Sequence, residues 1–243
     1  MNILLAESSD FNPRALELLR TLGAVRQEDL SGVALCGAVG DCDVLWVRLR
    51  NYIGAEVMDA APRLKWIVSP TTGLNHIDLK AAEKRGIRIL SLRGQADFLK
   101  EIRATAELTI GLMLALLRRI PAAAWDVREG GWNRDRFQGR ELHGQDVGLV
   151  GLGRLGHLVA GYLLAFGSRV RACDSRPEVF DLPGVERVSL EELLATSRLV
   201  SLHASYAPRN ERFFDAACFE RMPRGSWFVN TARGELVDET ALL

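Results

Sequence analysis

The sequence predicts an α/β protein made of two doubly wound parallel sheets, and three observations carry that expectation. Short apolar runs alternate with amphipathic segments along the chain, and near-continuous apolar runs mark strands buried on both faces. The alternation is interrupted by one polar stretch, Arg128 to Leu142, and then restarts. A glycine-spaced turn follows the first strand after the restart. The chain has 243 residues, 48% hydrophobic and 26% charged, which is enough apolar side chain for one large or two modest domains.

In the first half the predicted strands are "NILLA", a weak "AVRQED", "DVLWVRL", "LKWIVSP" and "IRILSL". Between them "PRALELLRTLG", "GAEVMDAAP" and "IDLKAAEKRG" place apolar residues at three- and four-residue spacing and end on Gly or Pro. Strand–helix alternation of this kind gives βαβ units, with helices on both faces of the sheet. Residues Phe98 to Ile120 read as one long helix stopped by Pro121. Arg128 to Leu142, rich in Gly and Arg, reads as a connecting loop. From Gln145 come "DVGLVGLG", a helix, "RVRACD", the helix "SLEELLATS", "LVSLHA", the helix "DAACFERM" and "SWFVNTA". The expected lobes are residues 1–97 and 98–243, with a hinge near 93–100.

Lys plus Arg and Asp plus Glu are 31 each, and no basic run occurs, so nucleic acid is not expected as a partner. The four cysteines form no C-x-x-C pair and read as reduced thiols of a cytoplasmic protein. Glu7 interrupts the first apolar run, which reads as a strand and not a signal peptide. "LTIGLMLALL" is ten residues, about half of a bilayer span, so no membrane partner is expected.

Gly151, Gly153 and Gly156 form G-x-G-x-x-G between an apolar strand and a helical pattern. The first glycine permits the tight turn, the second lets backbone approach a pyrophosphate, and the third lets helix and strand pack closely. The helix N-terminus offers N–H groups to the anion. Asp174 stands at the end of the next strand, where a carboxylate accepts ribose hydroxyls and repels a 2′-phosphate. NAD is therefore favoured over NADP, although Arg176 leaves room for the phosphorylated cofactor.

With those residues placed, the chain from about Val44 onward resembles the D-isomer-specific 2-hydroxyacid dehydrogenase family. "SPTTGLNHIDLKAAEKRGI", "ATAELTIGLMLALLRRIP", "GLVGLGRLGHLVA" and "LVSLHASYAPRNERFFDAACFERMPRGSWFVNTARGELVDETAL" are similar to four of its segments, in the same order. The resemblance implies a flavodoxin-like substrate lobe and a Rossmann NAD-binding lobe, with a homodimer through the long helix. It implies catalysis by Arg233, whose planar fork suits a carboxylate and the adjacent C2 oxygen. It implies substrate carboxylate binding at Thr72, Gly73 and Leu74, and cofactor contacts at Arg154, Leu155, Thr105, Ala106, His203, Thr231 and Ala232. "VRLRNYIGAEVMDAAPRLKWI" is similar to the phosphoglycerate dehydrogenase branch, in which Arg48 and Arg50 would meet a substrate phosphate.

The match has departures. His203-Ala204-Ser205 stands where the family usually reads His-x-Pro, Asn210 replaces a common threonine, and Leu108 stands where many members carry histidine. In the family the catalytic glutamate and histidine, and the aspartate holding the nicotinamide amide, lie downstream of the Thr-Ala-Arg-Gly turn, where this sequence has only "ELVDETALL". Asp238 is a good N-cap with few residues after it, too few for a stable helix. His76, His143 and His157 have no evident carboxylate partner. The expectation is a chain cut short, its second lobe incomplete at the C-terminus and inactive by itself in converting a 2-hydroxy acid to its 2-keto acid. The substrate expectation is D-3-phosphoglycerate or hydroxypyruvate/glyoxylate, with formate or phosphite oxidation also open. A non-catalytic NAD(H)-responsive binding protein of corepressor type is the alternative.

Overall fold

The computed structural model describes all 243 residues, and their packing divides the chain into Met1–Leu99 and Lys100–Leu243. The first unit runs β1 (Asn2–Leu5), α1 (Pro13–Leu22), β2 (Ala24–Gln27), α2 (Gly32–Ala38), β3 (Val44–Trp46), α3 (Ala55–Asp59), β4 (Trp66–Ser69), α4 (Leu79–Lys84) and β5 (Arg88–Ser91), with α5 (Ala96–Lys100) at its end. All its strand pairs are parallel, in the order β2-β1-β3-β4-β5. Leu4, Leu45 and Ile67 are buried against α2, α3 and α4 on one face. Ile3, Leu5 and Val44 meet Phe11, Leu16 and Leu19 on the other. Burial on both faces is what makes these strands read as unbroken apolar runs. Asn12 caps α1 by accepting from the Arg14 and Ala15 N–H groups, and Asp78 caps α4 through the Ala81 N–H.

The second unit runs α6 (Ala104–Leu117), α7 (Ile120–Arg128), β6 (Asp146–Val150), α8 (Arg154–Ala165), β7 (Arg169–Cys173), β8 (Val185–Arg187), α9 (Leu190–Thr196), β9 (Leu199–Leu202), α10 (Ala216–Arg221), β10 (Trp227–Asn230) and α11 (Glu239–Leu242). Its five strands are also all parallel, ordered β8-β7-β6-β9-β10. One face buries Val147, Leu149 and Val170 against α6 and α8. The other packs Val150, Val200 and Leu202 with Leu193, Leu194 and Phe214. Phe214 is fully buried, its ring 4.6 Å from Phe228 and 4.9 Å from Phe219.

The structure corrects several sequence expectations. Phe98 to Ile120 is not one helix: the chain leaves helical geometry between Lys100 and Ala104, and again at Arg119, which has φ +55°. Pro121 opens α7 instead of ending the helix before it, because a missing N–H costs nothing in a first turn. The polar stretch expected to be plain loop holds the last residue of α7 and a single 3₁₀ turn over Arg134–Phe137, capped by Asn133. Neither α2 nor β8 was expected. The first is the small-residue segment GVALCGA and the second a three-residue edge strand with little buried surface. No single helix is long and apolar enough to cross a membrane.

Candidate functional site

In the second unit the strand order reverses between β6 and β9, and the carboxyl ends of those strands form the crevice where sheets of this type take ligands. Gly151 follows β6 with φ +101°, and a Cβ there would lie 2.8 Å from the His203 carbonyl carbon and the Ala204 nitrogen. A Cβ on Gly156 would collide with the Gly151 carbonyl oxygen. The protein's own packing therefore requires both glycines. Gly153 is different: it is the N-cap of α8 with an ordinary φ of −76°, and a Cβ would meet only the Arg176 Nη2, at 3.4 Å. Nothing in the chain demands glycine there, and the missing side chain leaves open space above the first N–H groups of a 12-residue helix. That is the shape and electrostatics a pyrophosphate needs.

Asp174, at the end of β7, turns back to this loop. Its Oδ2 accepts from the Leu152 N–H at 2.9 Å and its Oδ1 from the Arg176 N–H at 3.0 Å. The Arg176 guanidinium grips both oxygens, Nε at 3.1 Å and Nη2 at 3.1 Å. Burial opposes ionisation of Asp174, but Arg176 and the two backbone donors outweigh it and hold the carboxyl at about 2. Arg176, half-exposed, is thus also a partner: it occupies the carboxylate expected to receive ribose.

His203 follows β9, its Nε2 3.0 Å from the Ser201 hydroxyl, and burial alone lowers it to about 4, so the ring is neutral. Arg154 reaches away from the loop to the Ile102 carbonyl at 2.8 Å. Leu155 packs against the core that α6 and α8 cover. His157 departs from expectation. Its Nδ1 faces the Gly153 carbonyl at 3.1 Å and its Nε2 faces Asp181 at 2.7 Å. Burial works against its charge, but Asp181 and the Gly153 carbonyl prevail and raise its pKa. This carboxylate-paired histidine stands on the β7 side of the crevice.

Arg233 lies just past β10, on the same carboxyl edge of the sheet as the glycine loop and two strands from β6. Adjacent strands are spaced about 4.8 Å, so roughly 10 Å separates the two strand ends. The turn carrying Arg233 is stapled by Asn230, whose Oδ1 accepts from the Ala232 N–H at 2.9 Å and whose Nδ2 donates to the Arg233 carbonyl at 2.8 Å. The Arg233 Nη1 folds back onto the Ala232 carbonyl at 2.8 Å. Asn230, Thr231, Ala232 and Arg233 line a cavity of about 550 Å³ together with Glu239. Thr231 is also bonded to Thr109 on α6, hydroxyl to hydroxyl at 2.8 Å. Sequence reading passed over Asn230 and Thr109. An asparagine at a strand end before a turn is a signal that could have exposed the first, whereas the second depends on a contact 122 residues away.

In the first unit, Thr72, Gly73 and Leu74 follow β4. Leu74 is buried in the core, and the loop is braced by a chain of polar groups. Thr71 Oγ1 donates to the Gly73 carbonyl at 2.8 Å, Ser69 Oγ lies 2.9 Å from Thr71 Oγ1, and buried His76 Nε2 lies 3.0 Å from Ser69 Oγ. Arg48 and Arg50 follow β3, the neighbouring strand. The Arg50 guanidinium pairs with Asp29 at 3.0 Å and the Ala6 carbonyl at 3.3 Å, and Arg48 reaches the Asp10 carbonyl at 3.5 Å. Both arginines are already engaged within the unit.

Comparison with known proteins agrees with this geometry. The family model for the D-isomer specific 2-hydroxyacid dehydrogenase, NAD binding domain, matches residues 110–243. The chain is 39% identical over 210 residues to the D-3-phosphoglycerate dehydrogenase of Mycobacterium tuberculosis, covering 86% of this chain and 39% of that protein. It is 36% identical over 218 residues to the hydroxypyruvate reductase of Thermotoga maritima, covering 90% of this chain and 69% of that one. The crystal structure of the TT0316 protein from Thermus thermophilus superposes with a TM-score of 0.88 at 37% identity, covering all of this chain and 77% of that one. The chain thus spans about four-tenths of the length of the phosphoglycerate dehydrogenase it matches. Two parallel five-stranded sheets and a glycine loop with its β7 carboxylate agree with these matches: the chain belongs to the D-isomer-specific 2-hydroxyacid dehydrogenase family, and its second unit carries the family's NAD-binding domain.

Proposed function

We propose that the protein serves an NAD-dependent dehydrogenase that interconverts a D-2-hydroxy acid and its 2-keto acid, with D-3-phosphoglycerate and hydroxypyruvate/glyoxylate as the leading substrates. The observation that carries the reading is the placement of Gly153, Asp174 and the Arg233 turn on one carboxyl edge of a single sheet. Bound NAD supplies the hydride acceptor and donor. Gly153 and the first N–H groups of α8 hold its pyrophosphate, and Asp174 takes a ribose diol. Thr105, Thr231 and Ala232 border the nicotinamide half. Arg233 releases the Ala232 carbonyl and clamps the substrate carboxylate and C2 oxygen, so that charge developing on that oxygen meets a fixed cation. In the first unit, the turn from Thr72 to Leu74 offers backbone N–H groups that suit a carboxylate.

The two substrate names are supported by the similarity to a phosphoglycerate dehydrogenase and a hydroxypyruvate reductase. For the phosphorylated substrate, Arg50 would exchange Asp29 for phosphate. Exposed Leu108, Leu116, Ile120, Trp125 and Val127 on α6 and α7 support a homodimer through that face. A monomer mass in sedimentation would remove this part of the reading.

The test is steady-state kinetics on the full-length enzyme. Arg233→Gln is expected to lower kcat/KM by about 10²–10³ with NADH affinity unchanged, and a smaller loss than tenfold would remove Arg233 from the reaction. His76 bonds Ser69, His143 the Phe166 carbonyl and His157 Asp181, while His203 is largely buried and neutral, so residues 1–243 are expected to reduce no hydroxypyruvate. Robust turnover by that chain would overturn the assignment of the proton carrier.

A further inference from the structure

Thr109 lies in the middle of α6 and is fully buried, a polar side chain among Ala106, Ile110 and Met113. Its hydroxyl has two partners, the Thr105 carbonyl at 2.8 Å and the Thr231 hydroxyl at 2.8 Å. Counting protons settles which way these bonds run. A carbonyl only accepts, so the single Thr109 proton goes to Thr105, as mid-helix threonines commonly bond back one turn. The Thr109 oxygen is then the acceptor in the second bond, and the Thr231 proton points at it. Thr231 borders the cavity beside Arg233 with that proton already used. Where that oxygen meets the cavity, it therefore offers lone pairs only.

We propose that Thr109 is a positioning residue of the nicotinamide pocket: by fixing the Thr231 hydroxyl proton inward, it makes this stretch of cavity wall a pure acceptor and selects a cofactor group that donates, the carboxamide N–H. The inference rests on the NAD reading of the same carboxyl edge of the sheet and adds a residue that touches neither cofactor nor substrate. Three features favour a set direction. Both Thr109 bonds are short, the residue is sealed from water, and Thr231 lines the cavity. Water cannot compete for either proton at Thr109, so the chain Thr231 to Thr109 to Thr105 has one low-energy orientation.

The test uses the full-length enzyme and two cofactors, NADH and its reduced 3-acetylpyridine analogue, in which a methyl ketone replaces the carboxamide and no N–H remains. The wild type should bind NADH more tightly. Thr109→Val removes the acceptor, frees the Thr231 proton to turn toward the cavity, and should reduce the preference for NADH by about two- to tenfold, the range expected for one hydrogen bond. Thr109→Ser keeps the oxygen and should restore the preference. Equal losses for both cofactors in Thr109→Val, or a Thr109→Ser variant that behaves like it, would mean that Thr109 only fills the core and would overturn the proposal. Failure of the wild type to bind either dinucleotide would strike the cofactor reading itself, and this inference with it.

Discussion

The two units build the same kind of crevice and treat it in opposite ways. In the first unit the strand order turns between β1 and β3, and in the second between β6 and β9. At the first of these points, buried Glu7 accepts from the Asn51 N–H at 3.0 Å, the Asn51 Nδ2 at 3.0 Å and the Arg50 N–H at 3.3 Å, and Arg50 closes onto Asp29. At the second, glycines hold the place of side chains and a helix N-terminus is left facing outward. Topology makes a ligand crevice wherever a doubly wound sheet reverses. The side chains at the strand ends decide whether it is filled from within. A carboxylate that receives three internal donors fills one crevice, and an absent Cβ keeps the other open.

That contrast can be broken most forcefully at Glu7. Glu7→Ala strands the two buried donors of Asn51 and the part-buried Arg50 N–H, and should cost about 2–4 kcal/mol of stability in urea titration while leaving NADH affinity unchanged. A loss under about 0.5 kcal/mol would show that the first crevice is not held shut by this carboxylate. Gly153→Ala probes the other side. The new Cβ has room in the protein, so stability should fall by less than about 1 kcal/mol, the cost of a poorer N-cap. NADH binding should nevertheless weaken by at least about tenfold, because the backbone can no longer approach a pyrophosphate. Unchanged NADH affinity would mean that the open space is not a ligand's.

The mildest effect concerns His157 and Asp181. The folded pKa of His157 is raised, so the stability this pair contributes is complete below the ordinary histidine value of about 6.5 and fades as pH rises through the folded value. Melting temperature across that window should fall in the wild type and be flatter in His157→Asn. Identical profiles would show that the pair forms no charged bond in solution.

Much of this contrast was legible in the residues. The runs "NILLA" and "DVGLVGLG" announce buried parallel strands because both faces of each are covered, and the glycine spacing followed by Asp174 announces the open crevice. The closure of the first was not legible, since Glu7 and Asn51 are 44 positions apart and each reads as a surface group. Distance along the chain likewise hid the Thr109–Thr231 bond, 122 positions apart, and the Asp181 partner of His157, 24 positions away. Helical periodicity persists through Glu101 to Arg103 and through Arg119, so apolar spacing could not reveal breaks made by backbone geometry. The segment GVALCGA carries too few large side chains to show any period, and the edge strand Val185–Arg187 buries too little to need one.

The fork between Arg176 and Asp174 bears on how a nucleotide would arrive. Each carboxylate oxygen already holds two donors, which is its full complement. A sugar diol reaching Asp174 therefore enters by exchange: two hydroxyl protons must replace two guanidinium protons, and the liberated cation is left beside the incoming phosphates. Recognition at this carboxylate is a trade between neighbours of similar strength, so its free-energy yield is the small difference between them and not the worth of the new bonds.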